Sequence, residues 1–193
     1  MNKNNFWNDA AKCGFIVGAL LAVSSVLETY MTLSGSLALY GLMMVEWIAV
    51  VVAHYYLLHR FTRRHAALYT AEEGFTFSQS YYYVLVISAF AGIILGVVQY
   101  LNLHLIIGYT TYTEKIAASF TNLLAQSGSS MPASMEPMIT QTMEQLQTAP
   151  APSVLATVWG GLFTSLLFGA IFGLIIAGVT SRRPKPFDTS SNE

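Results

Sequence analysis

The chain has 193 residues, of which 54% are hydrophobic and only 10% are charged. A soluble domain carries about 25% charged residues, so the composition argues against a soluble domain. The formal net charge of −1 provides no overall basic field for nucleic acid, and the single cysteine, Cys13, cannot form an internal disulfide.

Four stretches of the chain are mostly apolar over the roughly 20 residues that a membrane-spanning helix needs. They cover residues 11–33, 37–58, 81–107 and 154–180. The first stretch is longer than the apolar core of a signal peptide, about 7–15 residues, so we expect it to remain as a helix. The predicted fold is an all-α membrane protein, in which a bundle of four transmembrane helices forms one domain over residues 1–183. A disordered cytoplasmic tail is predicted for residues 184–193.

Basic residues are concentrated in three segments that a four-span chain places on one side of the membrane. These segments are the N-terminus (Lys3, Lys12), the connection between the second and third spans (Arg60, Arg63, Arg64) and the C-terminus (Arg182, Arg183, Lys185). The connection between the third and fourth spans has one base, Lys115. The positive-inside rule therefore predicts a multi-pass membrane protein with cytoplasmic N- and C-termini.

The connection at residues 108–153 is too long for a plain loop. Its apolar residues repeat at helical spacing, which predicts two short amphipathic helices that lie on the bundle or in the outer interface. The first helix has Ile116, Phe120, Leu123 and Leu124 on its apolar face and Ser119 off that face, and the second has Met135, Met138, Ile139 and Leu146 on its apolar face.

Four methionines in this connection, Met131, Met135, Met138 and Met143, raise the question of a copper site. Thioether sulfur suits Cu(I), and His104 could lie nearby. Methionine is also a flexible residue that fills gaps on apolar faces. Because no second histidine accompanies them, we favour the packing role and predict no metal and no cofactor.

Small residues spaced four apart form stripes on three of the four spans. The stripes are Gly14, Gly18 and Ala22; Ser88, Gly92 and Gly96; and Gly161, Ser165, Gly169, Gly173 and Ala177. Such stripes let helix backbones approach closely in lipid. We favour packing within one chain over the alternative of a homodimer face on the fourth span.

Two carboxylates, Glu28 and Glu46, lie inside predicted spans, where a charge costs about 2.5–3.5 kcal/mol on insertion scales. The short turn between the first two spans brings them near each other, and Gln99 and Asn102 reach a similar level. These four residues form a candidate intramembrane polar site. For Glu28, near a span end, a structural role is favoured. For Glu46, structural and functional roles stay open. His54 is interpreted as a polar residue that faces the bundle or the interface.

The segment Gly74-Phe75-Thr76-Phe77-Ser78-Gln79-Ser80 stands directly before the third span. Ser78 is predicted to cap the helix, Phe75 and Phe77 to anchor at the interface, and Gly74 to permit the entry turn. This segment resembles the Gly-x-x-Phe-x-Gln-small motif of a family of four-helix inner-membrane proteins of Bacteroidetes, the domain of unknown function 4199 family. The resemblance implies a four-helix domain in the inner membrane over nearly the whole chain and implies no activity.

No catalytic motif is found, so an intramembrane enzyme is the least favoured of three hypotheses. The most favoured is a non-enzymatic scaffold or accessory subunit. The alternative is a small oligomeric transporter or channel component that uses Glu46 and Glu28. The expected partners are the lipid bilayer and either a second copy of the chain or another membrane protein, and nucleic acid is not among them.

Overall fold

The computed structural model of the chain describes residues 5–127 and 148–184, with the isolated positions 141, 144 and 145 between them. Within these residues the chain is helical apart from turns and one isolated β-bridge. The helices are α1 (Phe6–Leu33), α2 (Leu37–Ala66), α3 (Phe77–Leu101, continued by a π-helical segment at Asn102–Ile107), α4 (Tyr109–Ser127) and α5 (Val154–Thr180). Four of them, α1, α2, α3 and α5, are long and apolar enough to cross a membrane. The predictions of an all-helical chain and of four long apolar helices are therefore confirmed.

The four long helices share two ends, a terminal end and a loop end. The terminal end carries Phe6, Ala66, Phe77 and Thr180, and the loop end carries Leu33, Leu37, Ile107 and Val154. At the terminal end α2 continues past the predicted span to Ala66, so Arg60, Arg63 and Arg64 lie on the helix and not in a connection. Basic side chains in a last helical turn interact favourably with the helix dipole, which explains why the helix continues through them.

The small-residue stripe of α5 packs against the stripe of α3. Gly161, Ser165, Gly169, Gly173 and Ala177 are all buried. A Cβ atom added to Gly96 would lie 2.5 Å from the Cα atom of Val158, and the Ser165 hydroxyl donates a hydrogen bond of 2.8 Å to the Ser88 carbonyl. The stripe is thus covered by α3 within the chain.

The stripe of α1 packs against the other side of α3. A Cβ atom on Gly18 would lie 3.0 Å from the Cα atom and the carbonyl oxygen of Ala91. Helix α3 therefore lies between α1 and α5, and 44% of its most apolar window is buried, whereas only 6% of the corresponding window of α2 is buried. Helix α2 is the least enclosed of the four long helices.

Helix α4 lies over the turn that joins α1 to α2. A Cβ atom on Gly35, which has φ +62°, would lie 2.9 Å from the Cα atom of Ser119, and Ser119 is only 3% exposed. The expectation that Ser119 points away from the buried face of this helix is wrong, because the close approach to the turn requires a small side chain there. The second predicted helix of the connection lies almost entirely outside the described residues, as do Met131, Met135, Met138, Met143 and the tail from residue 185.

Candidate functional site: a polar cleft between the long helices

A cavity of about 150 Å³ lies between α1, α2, α3 and α5, and we call it the polar cleft. Its polar lining consists of Ser24, Ser25, Glu28, His54, Gln99, Thr164 and Ser165. Every one of the four long helices contributes at least one of these side chains. A helix rises about 1.5 Å per residue, so Glu28 lies about 8 Å from the loop end of α1 and His54 about 25 Å from the loop end of α2. The polar cleft therefore extends from near the loop end to the middle of the helices.

Glu28 is half-buried in the wall of the polar cleft. Its Oε1 atom accepts a hydrogen bond of 3.3 Å from the Ser24 hydroxyl. Glu46 lies within electrostatic range of Glu28, as the short turn between α1 and α2 predicts, but it is not part of the cleft lining. In the described part of the chain, no lysine or arginine forms an ion pair with either carboxylate. A carboxylate without a basic partner in an apolar setting is costly when charged, and binding a proton or a cation relieves this cost.

Gln99 separates the polar cleft from a second cavity of about 180 Å³. Its side-chain amide donates a hydrogen bond of 2.9 Å to the Ser25 hydroxyl, and both residues line both cavities. The second cavity continues towards the loop end and is lined there by Thr29, Asn102, Tyr112 and Thr157. One side-chain hydrogen bond therefore lies between two polar cavities that follow one another along the helices.

Asn102 marks a change in the backbone at the second cavity. It is the first residue of the π-helical segment, it is only 4% exposed, and its Oδ1 atom has no hydrogen-bond partner among the described residues. Wide π-turns are rare and occur frequently at functional sites. Tyr112 on α4 faces the same cavity, and its burial raises the pKa of its phenol above the ordinary value. It therefore remains a neutral hydrogen-bonding group.

His54, which the sequence predicted to face either the bundle or the interface, faces the bundle and forms the deep end of the polar cleft. It is 3% exposed, its Nε2 atom has no partner in the described part of the chain, and its ring centroid lies 5.5 Å from that of Phe172. The α2 residues that line the cleft are Trp47, Val50, Val51 and His54. These residues lie three and four apart on one face of α2. Glu46, four residues before Val50, lies at the edge of that face and outside the lining, so the spacing alone does not distinguish Glu46 from His54.

Buried, mostly apolar side chains fill the space between the helices from His54 to the terminal end. Leu58, Tyr83, Ile87 and Ile176 are fully buried there and belong to one core cluster. The polar cleft and the second cavity thus extend towards the loop end, and a packed core separates them from the terminal end.

A hydrogen-bonded network joins three helices at the terminal end. The Asp9 carboxylate accepts hydrogen bonds from the Tyr83 hydroxyl and, at 3.3 Å, from the Arg64 guanidinium. The His65 ring stacks on the Tyr83 ring with 4.0 Å between their centroids. The network therefore ties α1 and α2 to α3, and the sequence pattern alone did not reveal it.

The segment before α3 has a different helix cap from the predicted one. The Thr76 hydroxyl accepts a hydrogen bond of 3.2 Å from the Gln79 backbone amide, and the Gln79 side chain accepts one of 2.8 Å from the Thr76 amide. This reciprocal pair is a capping box, so Thr76 and not Ser78 caps the helix. Ser80 lies deeper and shares a buried hydrogen bond of 2.7 Å with Thr180 of α5.

The same segment holds the chain that follows α5. Phe75 and Arg182 form an antiparallel bridge with backbone hydrogen bonds of 2.9 and 2.7 Å. Gly74 adopts φ +65°, and a Cβ atom there would lie 2.6 Å from the nitrogen of Pro184. Phe75 is fully buried, so its predicted interface anchoring is wrong, whereas Phe77 is 44% exposed. The entry segment and the basic end of α5 are therefore one structural unit.

The model of the family described as Protein of unknown function (DUF4199) matches residues 12–182. The chain belongs to this family. The suspected resemblance is therefore confirmed over nearly the whole chain. No curated protein and no solved structure matches the chain.

The DUF4199 match includes the polar cleft, the entry segment and Arg182, whereas Asp9 of the terminal network lies before it. The family description names no activity. The chemistry of this DUF4199 protein therefore rests on its own residues.

Proposed function

We propose that the protein is a multi-pass protein of the bacterial inner membrane that works as a small transporter or channel component for protons or small cations. In this proposal the four long helices form a transmembrane bundle, and the terminal end faces the cytoplasm. The charge distribution supports this orientation, because Arg60, Arg63, Arg64, Arg182 and Arg183 are all at the terminal end.

One observation carries the proposal: a carboxylate and a buried histidine without basic partners line one polar cleft inside four apolar helices. Ionisable groups at membrane depth are costly, and they mark ion and proton pathways in many membrane proteins. Glu28 is the binding group nearest the loop end, and His54 is the group at the deep end. The hydrogen bond between Gln99 and Ser25 is the constriction between the second cavity and the cleft.

The packed core between His54 and the terminal end closes the proposed site on that side. A site that is reached from the outer face and closed towards the cytoplasm is half of an alternating-access cycle. The least enclosed helix, α2, carries Trp47, Val50, Val51 and His54 of the cleft. Movement of α2 relative to the other helices is the proposed route by which the site would open to the terminal end.

Proton or cation flux into liposomes tests the proposal, with the purified protein reconstituted and a potential applied across the membrane. We expect flux from the unaltered protein and its loss in Glu28→Gln, because glutamine keeps the size and the hydrogen bond but cannot ionise. Glu46→Gln is the matched control, since it removes a carboxylate just outside the cleft lining. Flux that survives Glu28→Gln, or that only Glu46→Gln abolishes, would show that the cleft is not the pathway.

A second function, a non-enzymatic scaffold or accessory subunit, is supported by the surface of α2. Leu42, Val45, Ile48 and Val52 are each more than half exposed, and only 6% of the most apolar window of α2 is buried. A partner membrane protein or a second copy of the chain could cover this helix. Photo-crosslinking from Ile48, which is 57% exposed, distinguishes a defined partner from lipid alone, with Leu174 of α5, 56% exposed, as the control position. Identical crosslinks from both positions would argue against this role.

A further inference from the structure

A groove with basic walls lies between the terminal ends of α2 and α5, on the opposite side of the core from the polar cleft. It has a volume of about 420 Å³, and its lining includes His59, Arg63, Ala66, Val179 and Arg182. Arg63 reaches it from the last turn of α2, and Arg182 reaches it from the residues after α5.

The positive charge in this groove is uncompensated within the described residues. Arg64 is paired with Asp9, at 3.3 Å, whereas no described carboxylate lies within ion-pair distance of Arg63 or Arg182. Arg182 donates a hydrogen bond of 2.6 Å from one nitrogen to the Ala66 carbonyl, and the Phe75 bridge fixes its backbone. A guanidinium has five N–H donors, so this arginine is held in place with donors to spare.

An apolar strip continues from the groove along the helices. Val179 lines the groove, and Ile175 and Ile171 follow it at intervals of four residues on the same face of α5. They are 69%, 53% and 51% exposed. A cationic groove at the helix ends and an apolar strip directed away from it match the two chemically distinct parts of a phospholipid.

We propose that this groove binds an anionic phospholipid of the leaflet at the terminal end. Arg63 and Arg182 donate charge-assisted hydrogen bonds to the headgroup phosphate, and an acyl chain lies along Val179, Ile175 and Ile171. The site requires insertion of the chain in a membrane but not the transport activity, so the two proposals fail separately.

Native mass spectrometry of the protein released from nanodiscs tests the site, with equal amounts of phosphatidylglycerol and phosphatidylcholine in the bilayer. We expect phosphatidylglycerol to be retained preferentially and Arg63→Gln to weaken its binding roughly tenfold, since one charge-assisted interaction is lost. Arg63→Lys keeps the charge and retains most of the binding. Arg60→Gln is the matched control, because it removes the same charge from the same helix outside the groove lining.

Three results would overturn the proposal. The first is equal retention of both lipids by the unaltered protein. The second is an equal loss in Arg60→Gln and Arg63→Gln, which indicates diffuse attraction to an anionic surface. The third is displacement of the lipid by millimolar inorganic phosphate, which indicates a site for a free anion. Circular dichroism of each variant verifies that the helices are intact.

Discussion

Replacement of Gly161 by alanine tests the packing of α3 against α5, on which the position of the polar cleft depends. A Cβ atom at this position would lie 2.6 Å from the backbone nitrogen of Gly96 and 2.8 Å from the carbonyl oxygen of Gly92. These are main-chain atoms of a helix, so neither can rotate away. The two helices would have to move apart, and Gly161→Ala should therefore destabilise the fold.

The neighbouring Gly160 provides a control one residue away. A Cβ atom there meets nothing within 4 Å. Both substitutions replace glycine by alanine inside α5, so both gain the same helix propensity, about 0.5–1 kcal/mol. This gain cancels in the comparison. The expected difference between the two variants is the overpacking cost at Gly161, about 1–3 kcal/mol.

Reversible unfolding in mixed micelles, followed by circular dichroism, measures the two free energies of unfolding. Gly160→Ala should be at least as stable as the unaltered protein, and Gly161→Ala should be less stable than Gly160→Ala by the stated amount. Equal stability of the two variants would refute the close contact between α3 and α5. A loss of dimer in Gly161→Ala, with unchanged monomer stability, would assign the stripe to a contact between copies.

Three further changes have expected outcomes that the same unfolding measurement checks. Thr76→Ala removes the capping hydroxyl of α3 and should lower the free energy of unfolding by about 1 kcal/mol, whereas Ser78→Ala should change it little. A larger loss in Ser78→Ala than in Thr76→Ala would show that Ser78 caps the helix, as the sequence predicted. Tyr83→Phe removes the hydrogen bond to the Asp9 carboxylate and should cost about 1–3 kcal/mol, so unchanged stability would mean that this bond contributes nothing. Asn102→Leu removes a buried oxygen that has no partner among the described residues and should stabilise the protein by about 1 kcal/mol or more. A loss of stability would mean that water or a ligand satisfies that oxygen.

The features of the fold that depend on residue patterns along the chain were predictable from the sequence. Length and apolar composition identify the four long helices, because a spanning helix must bury its backbone polar groups over a fixed thickness. The small-residue stripes likewise predict which helix faces approach closely. The ends at Leu33 and Thr180 follow from the turn residues and polar residues that come next.

The parts that depend on a distant partner were not predictable. Thr76 and Ser78 are both capping residues, and only the reciprocal bond from Gln79 selects the former. Phe75 has the aromatic character of an interface anchor, but the chain after α5 covers it through Arg182. In each case a contact made by residues far apart in sequence overrides the local preference.

The sequence predicted which polar residues lie at the same level of the helices, but not which of them line the same cavity. Glu28 and Gln99 do line one cavity, because the helix heights that the sequence implies bring them to one level. Asn102 lines the adjoining cavity, and Glu46 stands outside both linings. The position of a residue along a helix axis can be predicted from the sequence. The rotation of α2 about its own axis, which places His54 and not Glu46 in the lining, is set by packing against the other helices.

The contact between α3 and α5 also has a consequence for the order in which the chain is made. Helix α3 is complete at Ile107, but its partner does not begin until Val154. A ribosome therefore synthesises the intervening residues while the glycine face of α3, at Gly92 and Gly96, has no partner. A nascent chain at this stage offers that face to any neighbouring helix with a small-residue stripe, including the α3 of a second chain. A truncation before Val154 should accordingly trap self-associated fragments that full-length synthesis avoids.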